Sequence, residues 1–207
     1  MTLKKLKAIP AMLSLLAASG GWAQLPPTFT SEDLLGLDRA SDLQLSPDEK
    51  RIAFTIGTPD AKDNVIRSRI RILDVTAGRS APAGDDIDGS NARWAADGRG
   101  LYFLSARSGS AQVWFARPDG SGAVQVSNLP LDVETFYMAP DGRHLLVTIE
   151  VFPDCPDLAC SAGRLARMRD DAVKARTYDR LFIRHWNRWR DDRQSHLFSL
   201  ELSAPGH

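Results

Sequence analysis

The chain has 207 residues, 43% of them hydrophobic and 25% charged, with 26 basic side chains balancing 26 acidic ones. This composition excludes a disordered chain and is compatible with one or two globular domains. Neither sign of charge predominates, so nothing points to an electrostatically driven partner.

The first predicted element is a leader. Lys4, Lys5 and Lys7 precede an apolar stretch from Ala8 to Ala18, and Gly21 and Ala23 place small residues at the −3 and −1 positions of a signal-peptidase site. Cleavage between Ala23 and Gln24 is expected, leaving residues 24–207 as the mature chain. The stretch of 11 apolar residues is too short to span a bilayer as a helix. With no cysteine near the cut, neither a lipid nor a membrane anchor is expected. Cleavage removes three lysines and no acid, so the balance of 26 and 26 becomes a formal charge of −3. That argues against nucleic acid as a partner, and the expected location is the periplasm or the secreted fraction.

A phrase then returns three times: Leu45 to Ile56, Trp94 to Ser105 and Met138 to Ile149. Its aspartate falls at positions 48, 97 and 141, a spacing of 49 and then 44 residues. Each copy reads as an apolar residue, a tight turn and a strand. Pro47 and Pro140 have the backbone φ that the second position of such a turn requires, and Gly98 and Gly142 supply a positive φ before pairing resumes. Glu49 replaces that glycine in the first copy, where a strained turn or another turn type is expected. The strands that follow are rich in apolar and β-branched residues, as suits a sheet buried on both faces. A further strand follows each turn, over 68–75, 111–116 and 195–202, and Ala123 to Ser127 adds another in the second copy. An ordinary antiparallel sandwich could be built from similar pieces. The fixed order of turn, strand, strand and glycine favours a β-propeller instead. The predicted fold is all-β: a partial propeller of about three blades, with a helical insertion in the third blade over about 152–193.

Within that insertion, Cys155 and Cys160 lie five positions apart in a chain read as exported, so a disulfide is expected. Zinc is the weaker alternative, because the nearest histidine is the solitary His185. Ser161 could cap a helix through Arg164–Val173, with Leu165, Met168 and Ala172 on one face. The stretch Tyr178–Arg190 interleaves aromatic residues with Arg180, Arg184, Arg188 and Arg190. RNA or anionic-ligand binding is one reading of that pattern. The favoured one has the aromatics packing at a blade edge while the arginines pair with Asp179, Asp191 and Asp192.

Motifs of catalysis are absent from the sequence. There is no Gly-x-Ser-x-Gly elbow, phosphate loop, dinucleotide fingerprint or metal-ligand cluster. The histidines at 144, 185, 196 and 207 are scattered. No residue is assigned a catalytic, cofactor-binding or metal-binding role, and no cofactor is expected.

Phe29–Leu35 leading into Ser41–Asp48, the cysteine segment Asp154–Cys160, and Tyr178–Trp186 resemble the amino-terminal part of the S9 (prolyl oligopeptidase) family of serine peptidases. The likeness is to exported bacterial members of the acylaminoacyl and dipeptidyl peptidase type, and it extends over the mature chain. It implies a propeller that limits the access of peptides to a carboxy-terminal α/β-hydrolase domain carrying a Ser-Asp-His triad. Such a domain needs roughly 250 further residues, so no triad residue transfers to any position here. The expectation is therefore a propeller section that is inactive alone. An open sector of blades exposes a strand edge and an apolar face, so aggregation or self-association through that edge is expected. Two other readings remain open: a non-catalytic TolB-like propeller binding protein or peptide, and a half-propeller closing by homo-oligomerisation.

Overall fold

The computed structural model describes residues 28–78, 87–173, 175, 178, 183–186 and 188–202. The leader and its proposed cut at Ala23–Gln24 lie outside these residues. The described part is mostly antiparallel β-structure. A short helix α1 (Ser31–Gly36) opens it and is followed by a sheet of β1 (Arg39–Leu45), β2 (Arg51–Asp60), β3 (Val65–Asp74) and β4 (Ile87–Asp88), paired in that order. A second sheet repeats the meander with β5 (Ser90–Trp94), β6 (Leu101–Ser105), β7 (Gln112–Ala116) and β8 (Val124–Gln125). The third sheet begins with β9 (Thr135–Met138) and β10 (His144–Val151). It resumes, after helix α2 (Leu158–Asp170) and a small hairpin of β11 (Arg184–His185) and β12 (Arg188–Trp189), with β13 (Gln194–Glu201). Its order is β13-β10-β9, so among the described residues it has three strands rather than four.

The repeated turn is the same object in all three copies. Glu49, Gly98 and Gly142 donate their N–H to the carbonyls of Ser46, Ala95 and Ala139, each at 2.9 Å. Ser46, Ala95 and Ala139 in turn donate to the carbonyls of Arg51, Gly100 and His144 at 2.8–3.0 Å. Asp48, Asp97 and Asp141 each accept from the N–H two residues on, at 3.2, 2.9 and 2.8 Å. Gly98 and Gly142 take φ of 68° and 65°, and Glu49 takes 58° in the same place. The first copy therefore keeps the turn type and holds a non-glycine residue in the left-handed region, at a cost of about 1 kcal/mol.

These turn carboxylates give the fold an acid-sensitive component. Asp48 lies below the ordinary carboxylate range chiefly through the Ser46 hydroxyl, Asp119 through Ser121, and Asp141 through the Arg143 N–H followed by His144. A carboxyl group with a depressed pKa in the folded state stabilises fully above its unfolded pKa, near 4. That contribution is lost as pH falls through the lower folded value. The melting temperature is expected to fall between pH 4 and pH 2, and a triple Asp→Asn variant at 48, 119 and 141 is expected to flatten that limb. An unchanged acid limb in the variant would contradict the assignment.

Consecutive sheets stack face to face. Ala53, Ile70 and Ile72 of the first sheet bury against Ala92, Leu101 and Phe103 of the second. Tyr102, Leu104 and Val113 on the other face of the second sheet bury against Phe136, Leu145 and Val147 of the third. The first strands of adjacent sheets are also tied by polar contacts about one repeat apart. Arg93 Nη1 pairs with Asp42 at 2.8 Å, Trp94 Nε1 donates to the Gln44 carbonyl at 3.1 Å, and Asn91 Nδ2 donates to Thr135 Oγ1 at 2.9 Å. Asp42 and Asn91 both have positive φ, and each interrupts its strand pairing with a bulge. Repetition therefore extends to the strand before each turn.

Candidate functional site

The β2–β3 and β6–β7 turns, the links from β4 to β5 and β8 to β9, and the long segment between β10 and β13 share one end of the stacked sheets. That end carries an open groove of about 1090 Å³ lined by Ile66, Arg67, Asp88, Arg107, Ala111 and Glu134, among others. A smaller recess of about 320 Å³ beside it is lined by Asp132, Glu134, Glu150, Leu165 and Arg193.

Several of the charged side chains that line the groove and its neighbouring recess have partners within the fold. Arg67 lies between Asp60, at 2.9 Å, and Asp63 in the β2–β3 turn. Hydrogen bonding from the Asp63 N–H, then from Arg67, holds the Asp60 carboxyl below its ordinary range, and Asp60 raises the Arg67 guanidinium in turn. Arg107 donates to Ser105 Oγ at 3.1 Å and to the Asp88 carbonyl at 2.9 Å, and it lies over the rings of Phe103 and Trp114. It thus pins the β6–β7 turn to the β4–β5 link. Asp132 accepts from the Ala111 N–H at 2.8 Å, Glu134 accepts from the Ser195 hydroxyl at 2.7 Å, and Arg193 bridges Glu150 at 3.1 Å and Asp191 at 2.8 Å. These groups shape and polarise the groove.

The cysteine segment fastens α2 beside this groove. Cys155 and Cys160 are joined by a disulfide with Cα atoms 5.6 Å apart. Asp157, not Ser161, caps the helix, accepting from the Cys160 N–H at 2.7 Å. Ser161 is fully buried one turn in, where its hydroxyl accepts from the Phe152 N–H at 3.1 Å at the end of β10. The cap is displaced because the disulfide loop turns the chain at Asp157, so the helix starts earlier and ends at Asp170, excluding Ala172 and Val173. Arg164 pairs with both Asp154 oxygens at 2.9 Å and lies 4.0 Å from the Phe152 ring centroid. Leu158, Ala162 and Leu165 pack on the core between the second and third sheets, whereas Met168 is exposed.

Opening the disulfide is expected to cost about 2 kcal/mol, the chain-entropy value for so short a loop. The expected product is a loosened α2 on intact sheets. Urea unfolding of Cys155→Ala/Cys160→Ala against the parent measures this, and equal midpoints would contradict it.

The aromatic segment departs from expectation. Trp186 is 85% exposed and Trp189 more than half exposed, so these rings do not pack at a sheet edge. Trp189 ends β12 and Trp186 lies in the turn of the β11–β12 hairpin, which among the described residues forms a two-stranded sheet of its own. Tyr178 stacks on Trp189 at 6.3 Å and Arg184 lies over the same ring at 5.5 Å, while Arg193, outside the predicted set, takes Asp191. Asp179 and Arg180 fall outside the described residues.

Among the described residues, His144 and His196 lie apart. His144 contacts Asp141 at 2.6 Å in the third repeated turn, at the end of the sheets opposite the groove, whereas His196 lies on β13 opposite Ile149. Among the described residues no three His, Cys, Asp or Glu side chains converge as a metal site, and no helix is long and apolar enough to cross a membrane.

No family model matches the chain. Among curated proteins, it is 25% identical to dipeptidyl-peptidase 5 of Porphyromonas endodontalis over 201 residues, covering 86% of this chain and 27% of that protein. It is 29% identical to the uncharacterized peptidase YuxL of Bacillus subtilis over 124 residues, covering 59% of this chain and 19% of that one. Among solved structures, the acylaminoacyl peptidase of Pyrococcus horikoshii superposes with a TM-score of 0.58 at 15% identity, covering 84% of this chain and 24% of its own. The chain therefore spans about a quarter of the length of the first of these relatives. The chain is thus similar to peptidases over about a quarter of their length, and its stacked sheets are consistent with the propeller part of an S9 (prolyl oligopeptidase) peptidase.

Proposed function

We propose that this chain is the amino-terminal propeller section of an exported S9-type serine peptidase, and that it restricts the passage of peptides to a hydrolase domain encoded beyond residue 207. In this reading the three consecutive sheets are three blades, the segment over about 152–193 is an insertion in the third, and the product is periplasmic or secreted. The observation that carries it is the uneven overlap with dipeptidyl-peptidase 5, 86% of this chain against 27% of the relative. The groove supports it too. Its polar groups serve the packing of turns and links, and the described residues that line it include no histidine to act as a base for a nucleophile.

The reading is tested in cells of the source organism, with an antiserum raised against this chain. The expected product is a polypeptide roughly three to four times its length, recovered with the exported fraction and labelled by a fluorophosphonate probe. An unlabelled product of this chain's own length, or one confined to the cytoplasm, would overturn the reading.

A further inference from the structure

The β2–β3 hairpin outruns the sheet to which it belongs. Its ladder continues to Asp60 opposite Val65, whereas β1 stops opposite Gly57 and β4 pairs only with Arg69 and Ile70. Just beyond, the Gly89 N–H donates to the Ser68 carbonyl at 3.2 Å. The chain then leaves β3 and presses onto β6. A Cβ on Gly89 would lie 2.5 Å from the Leu104 carbonyl oxygen, so the departure requires glycine. The groove of about 1090 Å³ opens in the gap, with Val65, Ile66, Arg67 and Ser68 along one wall.

That wall is a strand edge. Ser68 turns its carbonyl to Gly89, away from β2, and backbone polar groups alternate sides along a strand, so Ile66 turns its N–H and C=O the same way. Pro59, opposite Ile66, has no N–H to exchange, which suits the non-hydrogen-bonded pair this requires. Among the described residues no strand pairs with Ile66 on the groove side. Edges are normally blunted by charge, bulges or cover, yet here Val65 and Ile66 are both exposed. The edge is also held rigid. Arg67 is tied to Asp60 and Asp63, Asp60 accepts from the N–H groups of Lys62 and Asp63 at 3.1 Å, and Asp38 accepts from the Thr58 hydroxyl at 2.6 Å at the hairpin's base. A preformed edge loses little freedom on binding.

We infer that the Val65–Ser68 edge of β3 takes up an extended peptide as an added strand in the groove, its alternate side chains directed to the apolar lining of Leu104, Ala111 and Val133. At the rise of a strand this edge is about 13 Å long, the span of about four peptide residues. The β6–β7 turn faces it across the groove, so the space suits a lone strand rather than the edge of a second molecule's sheet. The identity of the occupant, a peptide on its way to the hydrolase, rests on the peptidase reading; the strand edge itself does not.

The test titrates the full chain into a fluorescent, capped hexapeptide of alternating leucine and serine, read by anisotropy. Alternation fixes the register, since a slip of one residue would turn the serines to the apolar lining. N-methylation of one alternate set of amides is expected to weaken binding about tenfold or more, and of the other set less than about twofold, because only one set faces the edge. Ile66→Pro removes the edge N–H and is expected to weaken the unmodified peptide about tenfold, whereas Ile66→Val leaves it unchanged. Circular dichroism checks that the proline variant is folded; if it is not, the methylated peptides on the parent chain decide alone. No binding at millimolar peptide, equal losses from both methylated sets, or binding that a folded Ile66→Pro leaves intact would overturn the inference. So would an oligomer of the parent that excludes the peptide and is dissociated by Ile66→Pro, which would give the edge to a second copy. Binding that is lost in the longer exported product would give it to the chain's own continuation, with the same consequence. Fluorophosphonate labelling reports on the peptidase reading separately: a labelled product that ignores the peptide ends this inference alone, and an unlabelled product that binds it ends only that reading.

Discussion

Replacing Gln112 by alanine is expected to destabilise the chain by about 3 kcal/mol, the cost of stranding several buried polar partners at once. Gln112 is 1% exposed, and every hydrogen bond of its amide is made within the protein. Its Oε1 accepts from Ser127 Oγ at 2.8 Å and from the Leu129 N–H at 3.0 Å. Its Nε2 donates to Ser110 Oγ and to the carbonyls of Leu129 and Leu131, each at 3.1 Å. The link from the second sheet to the third is folded around this one amide. Alanine would leave the Leu129 N–H and two carbonyls without partners and open a void between β7 and the link. At about 2–4 °C per kcal/mol for a chain of this size, the melting point should fall by roughly 10 °C. A shift below about 2 °C would show that the link is held in some other way.

Gly100→Ala is expected to be nearly as damaging, although it adds a single methyl group. A Cβ there would lie 2.3 Å from Phe115 Cζ and 2.6 Å from the Ala116 carbonyl oxygen. The ring of Phe115 covers Gly100 while tilting against Tyr102, with ring centroids 5.0 Å apart. Overpacking of this kind costs about 1–3 kcal/mol, with the upper end expected because one clashing atom belongs to the backbone of a paired strand. Shortening Phe115 relieves only the ring contact, so Phe115→Leu should fail to rescue Gly100→Ala. Urea midpoints of the two single variants and the double variant decide this, and a double variant as stable as Phe115→Leu alone would contradict the backbone clash. The same repeat position holds Arg51 and His144 in the other copies, so glycine is required by the local neighbour and not by the repeat.

Much of the fold was legible in the sequence because the repeated turn is a local object. Its aspartate, its left-handed residue and the apolar strand that follows all lie within a dozen residues. Glu49 is the odd member of the three copies, and it takes a positive φ in an unchanged turn. The strands that precede the turns were less visible. Their bulges at Asp42 and Asn91 break the alternation of side chains, although two polar residues one repeat apart in matched contexts are a signal in retrospect. The capping box of Thr30 and Asp33, which starts α1, is equally local. Gln112 could not have been found, because a lone polar residue at the start of a strand reads as solvent-facing until the link that wraps it is known. The helix start was misplaced for a related reason. Ser161 has the chemistry of a cap, but the disulfide loop had already turned the chain at Asp157, leaving the Ser161 hydroxyl to serve β10. The exposed tryptophans of the hairpin were misjudged because aromatic content alone does not say whether a segment joins a sheet.

Hydrogen exchange of the backbone amides tests the stacking of consecutive sheets most directly. The account predicts slowest exchange in the middle sheet, over Leu101–Ser105 and Gln112–Ala116, which neighbouring sheets cover on both faces, and fastest strand exchange at the outer strands Arg39–Leu45 and Gln194–Glu201. Uniform protection across all these strands, or a middle sheet that exchanges before the outer ones, would contradict it.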